Sequence, residues 1–213
     1  MQYVDPPMEL GETLSGTDTN SNLINIGKLG QVFFHPAQRL TGGPTASKTR
    51  HTGKGIWAVL VRNTSGMALA TKRIGQLAFA TAGEAAMETV DGYATAIAQK
   101  RCVIIDPFLP SGGTVADDDI FWGVLKGRCL AMGGLTAATW PGDVAVGDEL
   151  VTMTAASSQA DTAGYLQGIT IVGQTGGTEA FNMARNVIGY ALSARTTANT
   201  GSDILIDACI ASY

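Results

Sequence analysis

The segment DILIDACIA (residues 203–211) has the clearest strand pattern in the chain. In an extended strand successive side chains point to opposite faces, so every second residue lies on the same face. One face of this segment is wholly apolar, whereas the other carries Leu205, Asp207 and Cys209. We therefore predict a core-covering strand that pairs antiparallel with residues 187–193 through a polar surface loop. The apolar face consists of Ile204, Ile206, Ala208 and Ile210.

Short runs of β-branched, aromatic and other apolar residues recur along the chain, and most are bounded by Gly or Pro. They cover residues 56–61, 74–79, 102–106, 120–125, 128–132, 149–154 and 168–172. Many short strands at such intervals predict an all-β protein. The specific expectation is a small β-barrel or jelly-roll-like body of short antiparallel strands, with an extended N-terminal arm and at most one helix.

The tetrapeptide NTSG (residues 63–66) follows the run 56–61 and has the composition of a tight turn. Asn and Gly are favoured there because they tolerate positive φ. We predict a hairpin at this point, in which residues 67–70 and 74–79 supply the strand that returns alongside 56–61.

Residues 84–100 are the one helical candidate, because apolar residues recur at helical spacing from Met87 to Ile97. Gly92 disfavours a helix interior. The alternative is a turn at Asp91-Gly92 followed by a strand, and the sequence leaves both interpretations open.

Residues 1–54 differ from the rest, because Gly, Thr, Ser, Asn and Pro dominate and apolar residues come in two short islands. We interpret this region as an extended arm and residues 55–213 as the β body. Islands of this length cannot build a core, so we expect them to dock on the body or on another subunit. The predicted contact residues are Leu23, Ile24, Ile26, Val32, Phe33 and Phe34.

The composition is poor in charge. Of the 213 residues 15% are charged, and the formal net charge is −4. A surface of small uncharged residues costs little to desolvate, which suits a subunit that neighbours cover. Nucleic acid requires a basic stripe that neutralises phosphates, so the sequence predicts no nucleic-acid partner.

Cys102, Cys129 and Cys209 lack paired spacing, so the sequence predicts neither a disulfide framework nor a zinc site. We expect buried, hydrophobic cysteines in a reducing cytoplasm. Residues 1–10 do not form a secretory signal, and no run approaches the ~20 apolar residues of a membrane span. The expectation is a protein made in the cytoplasm, without a membrane partner and without a cofactor.

Patterns that would carry catalysis are weak. GGPTASKT (residues 42–49) is close to a phosphate-binding loop, but Ser47 stands where that pattern requires glycine, and no strand or helix flanks it. The aspartates at 117–119 lack the alternating ligands of a calcium loop. Neither His35 nor His51 lies near a candidate nucleophile. We predict no catalytic residue, no metal ligand and no enzymatic activity.

Three stretches resemble the capsid decoration, or cement, proteins of tailed bacteriophages. VRNTSGMALA (61–70) is similar to the Asn-x-Ser-Gly hairpin near the start of many such proteins. The second stretch joins IDPFLP (105–110) to DIFWGVLKG (119–127). The third joins VAVGDELV (144–151) to IGYALSA (188–194), which are similar to the Gly-Asp strand and the Gly-x-Ala-Leu strand of the family.

This resemblance, which does not include the arm, implies homotrimers on the capsid surface of the virion and no catalysis. The implied partner is the major capsid protein. Our own hypothesis is that the arm bridges adjacent subunits of that protein through the six predicted contact residues. An alternative is a head fibre or receptor-binding module that contacts the host surface. Trp140 and Tyr165 are the loop aromatics that would serve that alternative.

Overall fold

The structure is a computed structural model. It describes residues 8–15, 29–36, 55–78, 88–94, 101–110, 112–133, 144–152, 164–168, 187–194 and 203–210. Every helix or strand assigned in these residues is a β-strand, which confirms the all-β prediction. The strands are β1 (Val32–His35), β2 (Ile56–Asn63), β3 (Leu69–Ala70), β4 (Ile74–Leu77), β5 (Thr89–Tyr93), β6 (Cys102–Ile105), β7 (Thr114–Val115), β8 (Ile120–Met132), β9 (Glu149–Thr152), β10 (Leu166–Gly168), β11 (Gly189–Ala191) and β12 (Asp203–Cys209).

A first closed ring of paired strands forms one half of the fold. Strand β2 pairs with β5, β5 with β4, β4 with β6, β6 with β8, and β8 again with β2. The β2–β5 pair is parallel, which departs from the expected antiparallel arrangement, and the other four pairs are antiparallel. Closure of this kind is barrel-like, because it removes the unpaired edges of the five strands.

A second ring uses the other half of β8. Strand β12 pairs with β8, and β11, β9 and β10 follow in that order. An isolated parallel bridge between Gly133 and Leu166 then returns β10 to the end of β8. All the strand pairs of this ring are antiparallel. The pairing of β11 with β12 confirms the expected association of residues 187–193 with the C-terminal strand.

Strand β8 is a single strand of 13 residues, whereas the sequence predicted two strands separated at Gly127. Gly127 has φ of 115°, and a Cβ there would lie 2.8 Å from the backbone oxygen of Gly55. A glycine at this position therefore marks a close approach of two backbones and not the end of a strand.

The predicted hairpin after β2 is wrong. Strand β3 pairs with β7, and β4 pairs with β5 and β6, so neither returns alongside β2. The buried Asn63 explains this difference, because its Nδ2 donates to the backbone oxygens of Met67, Val115 and Ala116. These bonds hold the 64–67 turn against the 115–116 segment instead of the edge of β2.

Of the two interpretations left open for 84–100, the helix is excluded for residues 88–94, where the chain forms β5. The alternative, a turn at Asp91-Gly92 followed by a strand through Tyr93, is correct for the strand at Tyr93 and wrong for the turn, because β5 continues through Asp91 and Gly92. The register with β4 shifts between Gln76 and Leu77, which pair with Gly92 and Val90 respectively. Asp91 is the extra residue of this bulge. Residues 84–87 and 95–100 lie outside the described residues.

Two N-terminal segments cover one face of the first ring. In residues 8–15, Leu14 bridges Ile120, and the Met8 backbone oxygen accepts a hydrogen bond from the indole of Trp122 at 3.2 Å. Strand β1 pairs antiparallel with β2. The rings of Phe33 and His35 meet Trp122 edge-on, with centroids 5.5 and 4.5 Å away. The described parts of the region 1–54 thus contribute to the core of their own chain.

Buried polar groups hold this covering layer. Both carboxylate oxygens of Asp106 accept backbone N–H bonds, from Gly11 at 2.6 Å and from Phe108 at 2.9 Å. Burial nevertheless raises the pKa of Asp106 from 3.8 to about 7. Burial also lowers the pKa of His35 from 6.5 to about 4, and the His35 Nε2 atom has no hydrogen-bond partner.

The face of β8 opposite Trp122 is packed closely against β6. A Cβ at Gly123 would lie 2.7 to 2.8 Å from all three side-chain carbons of Val103. We expect Gly123→Ala to lower the free energy of unfolding by about 1–3 kcal/mol through overpacking. Gly168→Ala is the control, because its Cβ would meet atoms no nearer than 3.6 Å. Equal urea midpoints for the two variants would contradict this packing.

Protonation of His35 is expected to oppose folding at low pH. Its pKa is lower in the folded chain, so the unfolded chain binds the proton first as pH falls from 6.5 towards 4. His35→Phe removes this term without losing a hydrogen bond of Nε2. As pH falls from 6.5 to about 4, the original chain loses stability through this group and the variant does not. The unfolding free energy of the variant minus that of the original chain, measured by urea titration, should therefore increase as pH falls. A constant difference would refute the assignment.

Asp106 should act with the opposite sign. Its folded pKa is raised, so the folded chain retains a proton that the unfolded chain has lost between pH 3.8 and about 7. Stability from this group therefore falls as pH rises across that window. Asp106→Asn should be destabilising, because an amide cannot accept from both Gly11 and Phe108. Its stability deficit should be smaller at pH 7 than at pH 4; a larger deficit at pH 7 would rule out the raised pKa.

Candidate binding surface

Strand registers place one row of outward side chains across four strands. Residues that are directly opposite each other in neighbouring strands share a face of the sheet. Phe34 on β1 is opposite Trp57 on β2, Trp57 is opposite Lys126 on β8, and Lys126 is opposite Cys209 on β12. Trp57 and Lys126 are exposed, and Phe34 and Cys209 are partly exposed. The row therefore crosses from the first ring to the second.

A second row lies two residues further along β8. Arg128 is opposite Asp207 on β12, Asp207 is opposite Tyr190 on β11, and Tyr190 is opposite Glu149 on β9. We call these four residues the charged row. Tyr190 is 43% exposed, and none of the four is buried. Charged groups and an exposed aromatic ring thus share one surface of the second ring.

A third row is apolar. Leu130 on β8 is opposite Leu205 on β12, and the backbone nitrogen of Leu192 donates to the oxygen of Leu205 at 2.7 Å. Leu192 is exposed, and the other two leucines are partly exposed. The three rows together form the outer face. The alternate residues of β8, β11 and β12 are buried and include Cys129, Ala131, Ala191, Ile204, Ile206 and Ala208.

The aromatic edge, which we define as Val32, Phe34 and Trp57, lies at the β1 end of the outer face. The rings of Phe34 and Trp57 have centroids 5.1 Å apart at an interplanar angle of 54°. Trp57 is nevertheless 45% exposed. Large aromatic side chains left partly exposed are typical of protein interfaces, because they supply much contact area for few rotatable bonds.

Three of the six predicted contact residues lie in β1, and they do not all face the same side of the sheet. Val32 and Phe34 reach the outer face, whereas Phe33 is buried against Trp122 of its own chain. Leu23, Ile24 and Ile26 lie outside the described residues. Contact of these six residues with a capsid stays a prediction.

The sequence did not single out Trp57 or Tyr190. Trp57 lies inside the uniformly apolar run 56–61, which hides the alternation of faces. Tyr190 lies between Gly189 and Ala191 in a short strand. These two small neighbours are the only sequence signal that the tyrosine is on a different face, and three residues are too few to establish an alternation. Both residues become recognisable as surface groups once the strand registers are known.

The charges of the charged row are not paired with one another in the described part of the chain. The ion pairs among the described residues are Arg62–Asp118 at 2.7 Å and Lys72–Asp203 at 2.6 Å, and neither includes a residue of the charged row. The Nε atom of Arg128 is buried and has no hydrogen-bond partner. The row therefore presents one guanidinium and two carboxylates that no other described side chain neutralises.

The charged residues of this surface shift the pKa of the Cys209 thiol. Burial raises the pKa of its thiol, Asp207 and Glu149 raise it further, and Lys126 lowers it. Cys102 and Cys129 are buried as expected, and burial raises the pKa of Cys102 to about 12. Cys209 is instead partly exposed.

Two of the three aspartates weighed as metal ligands have side-chain partners within the fold. Asp117 Oδ1 accepts from the Gly66 nitrogen at 2.9 Å, and Asp118 pairs with Arg62. Among the described residues there is no group of three or more His, Cys, Asp or Glu side chains placed to hold a metal ion. His51 and residues 42–49 lie outside that part of the chain.

Tyr165 is buried, and the guanidinium of Arg73 lies 4.5 Å from its ring centre. It is therefore not an exposed loop aromatic, while Trp140 lies outside the described residues. The described segments contain no helix long and apolar enough to span a membrane.

No protein-family model, curated protein or solved structure matches this chain. The strand pairings and surface define an all-β protein whose best candidate site is the outer face.

Proposed function

We propose that this chain is a viral capsid decoration (cement) protein. It binds the outer surface of an assembled phage head and stabilises the head by bridging major capsid protein subunits. The observation that carries this proposal is the aromatic edge, where Trp57 and Phe34 form a ring pair that remains open on the molecular surface. The proposed place of the protein is the virion, and the proposed role includes no catalytic step.

The aromatic edge has the features of an interface centre. The free energy of protein association concentrates in a few residues, and tryptophan is enriched among them. The low charged fraction of 15% means that little charge must be desolvated around such a centre. Phe34 also fixes the Trp57 ring before binding, which reduces the entropy lost on association.

The segments that resemble decoration proteins lie in both rings. IDPFLP (105–110) and DIFWGVLKG (119–127) contribute to β6 and β8, whereas VAVGDELV (144–151) and IGYALSA (188–194) contribute to β9 and β11. Threefold association, which this resemblance implies, stays a prediction.

Binding of this kind stabilises a shell by linkage. A ligand that binds the assembled lattice and not its separated subunits adds RT ln(1 + [L]/Kd), or roughly 3 kcal/mol per site at a hundredfold excess over Kd. The effect repeats at every occupied site, so moderate affinity is sufficient to resist internal pressure.

Trp57→Ser tests the proposal. We expect it to weaken binding about 30-fold in cosedimentation with empty shells of the same phage's major capsid protein, as for a ~2 kcal/mol interface centre. Met67→Ser is the matched control, because Met67 is 51% exposed and lies in the 64–67 turn, outside the outer face. Circular dichroism and the unfolding midpoint should be unchanged in both variants.

Two results would overturn the proposal. One is a wild-type chain that does not sediment with shells at any concentration. The other is equal shell binding by Trp57→Ser and the wild-type chain. Binding to host cells in the absence of shells would instead support a receptor-binding module.

A further inference from the structure

Strand β1 has one side that no described strand covers. Among the described strands, β1 stands at the end of the order of the large sheet and pairs with β2 alone. The other strands of that sheet belong to the two closed rings. We call the side of β1 that faces away from β2 the uncovered edge. Such an edge carries backbone N–H and C=O groups that can pair with another extended chain.

The bonds between β1 and β2 show which backbone groups point to the uncovered edge. The Leu60 nitrogen of β2 donates to the oxygen of Gln31 at 3.1 Å, directly before β1. In an antiparallel pair, residues that bond the neighbouring strand alternate with residues that do not. Every second residue counted from Gln31 therefore bonds β2, and the N–H and C=O groups of Val32 and Phe34 point to the uncovered edge.

Charged side chains are a common means by which proteins prevent strand addition at an edge. Residues 29–36 contain none. Gly30, which has φ of 77°, and Pro36 bound the four residues of β1. A strand added at the uncovered edge would therefore be short, and its side chains would meet no charge on β1.

The ring of Phe34 leaves the uncovered edge open. It lies over Gly55, where a Cβ would clash with the ring atoms Cζ and Cε2. It also contacts the ring of Trp57, with centroids 5.1 Å apart. Gly55 directly precedes β2 and Trp57 lies in it, so the Phe34 ring leans across β2 and away from the uncovered edge. An added strand could thus reach the β1 backbone and place an apolar side chain beside Phe34.

The inner face of β1 carries a buried polar atom without a partner. His35 is 2% exposed, and its Nε2 atom has no hydrogen-bond partner among the described residues. An antiparallel strand that bonds Val32 and Phe34 would place a residue opposite His35 in a non-hydrogen-bonded pair, with Cα atoms ~4.5 Å apart. A hydroxyl side chain at that position could bond the Nε2 atom and remove the cost of leaving it unsatisfied.

We propose that the uncovered edge of β1 binds an extended segment of the major capsid protein as an added antiparallel strand. The segment carries an apolar side chain opposite Phe34 and a serine or threonine opposite His35. This inference rests on the proposed function and describes how the partner chain is held at the aromatic edge. Backbone bonds from β1 give affinity, and the alternate side chains give specificity.

A second copy of this chain does not fit the uncovered edge. Antiparallel pairing of β1 with β1 of another copy requires a two-fold axis, which the predicted threefold association lacks. The other strands of the large sheet are paired within the rings of their own chain. The added strand therefore comes from a different protein.

Val32→Pro tests strand addition in cosedimentation with empty shells of the same phage's major capsid protein. Proline at residue 32 removes an N–H that points to the uncovered edge, and proline is tolerated at the first residue of an edge strand. Val32→Ala is the matched control, because it also loses the valine side chain but keeps the N–H. We expect Val32→Pro to bind about tenfold more weakly than Val32→Ala.

Amide hydrogen exchange tests the same edge without a substitution, and it decides the result if Val32→Pro does not fold. In the free chain the amides of Val32 and Phe34 should exchange faster than those of Phe33 and His35, which bond β2. In the shell-bound chain, quenched and then read residue by residue by NMR, exchange at Val32 and Phe34 should be slowed about tenfold or more.

Three results would rule out strand addition while leaving the proposed function in place. The first is slow exchange of Val32 and Phe34 in the free chain, because the edge would then already be occupied. The second is equal shell binding by folded Val32→Pro and Val32→Ala. The third is unchanged exchange of these amides in the shell-bound chain. A wild-type chain that does not sediment with shells would overturn the proposed function and this inference together.

Discussion

Pairing of β8 on both of its edges is the constraint on which the rest of the structure depends. Along one edge β8 pairs with β2, and along the other it pairs first with β6 and then with β12. Lys126 is the residue where these partners meet, because it is opposite both Trp57 and Cys209. A break in β8 would open both rings at once, so the two halves cannot be stabilised independently through this strand.

The segment 71–74 ties the same two halves together from a different side. The backbone oxygen of Lys72 accepts from the Met132 nitrogen at 2.9 Å, and its ammonium pairs with Asp203 of β12. Arg73 lies between two aromatic rings, 3.7 Å from the centre of Tyr93 in the first ring and 4.5 Å from that of Tyr165 beside β10. Cation–π contacts of this kind add to the backbone bonds across the junction.

The sequence predicted what alternation alone can determine. In β12 the residues at 204, 206 and 208 are buried as expected, because a strand with one apolar face has one stable orientation. The partners of β2 could not be predicted, since they depend on the bonds of the Asn63 side chain to residues about 50 positions away. The candidate surface could not be predicted either, because it also depends on residues that are far apart in the sequence. Trp57, Lys126 and Cys209 are distant in sequence, and strand register alone makes them neighbours.

Along β8 and β12 alternate residues are buried inside the second ring, and the residues between them therefore form the outer face. The small inner residues Gly127, Cys129 and Ala131 allow the second ring to close tightly, and their outer neighbours must then face outward. Of these neighbours, Arg128 and Leu130 are partly exposed, and the Nε atom of Arg128 has no hydrogen-bond partner. A single chain therefore leaves on its outer face the mixture of apolar area and unpaired charge that another subunit could complete.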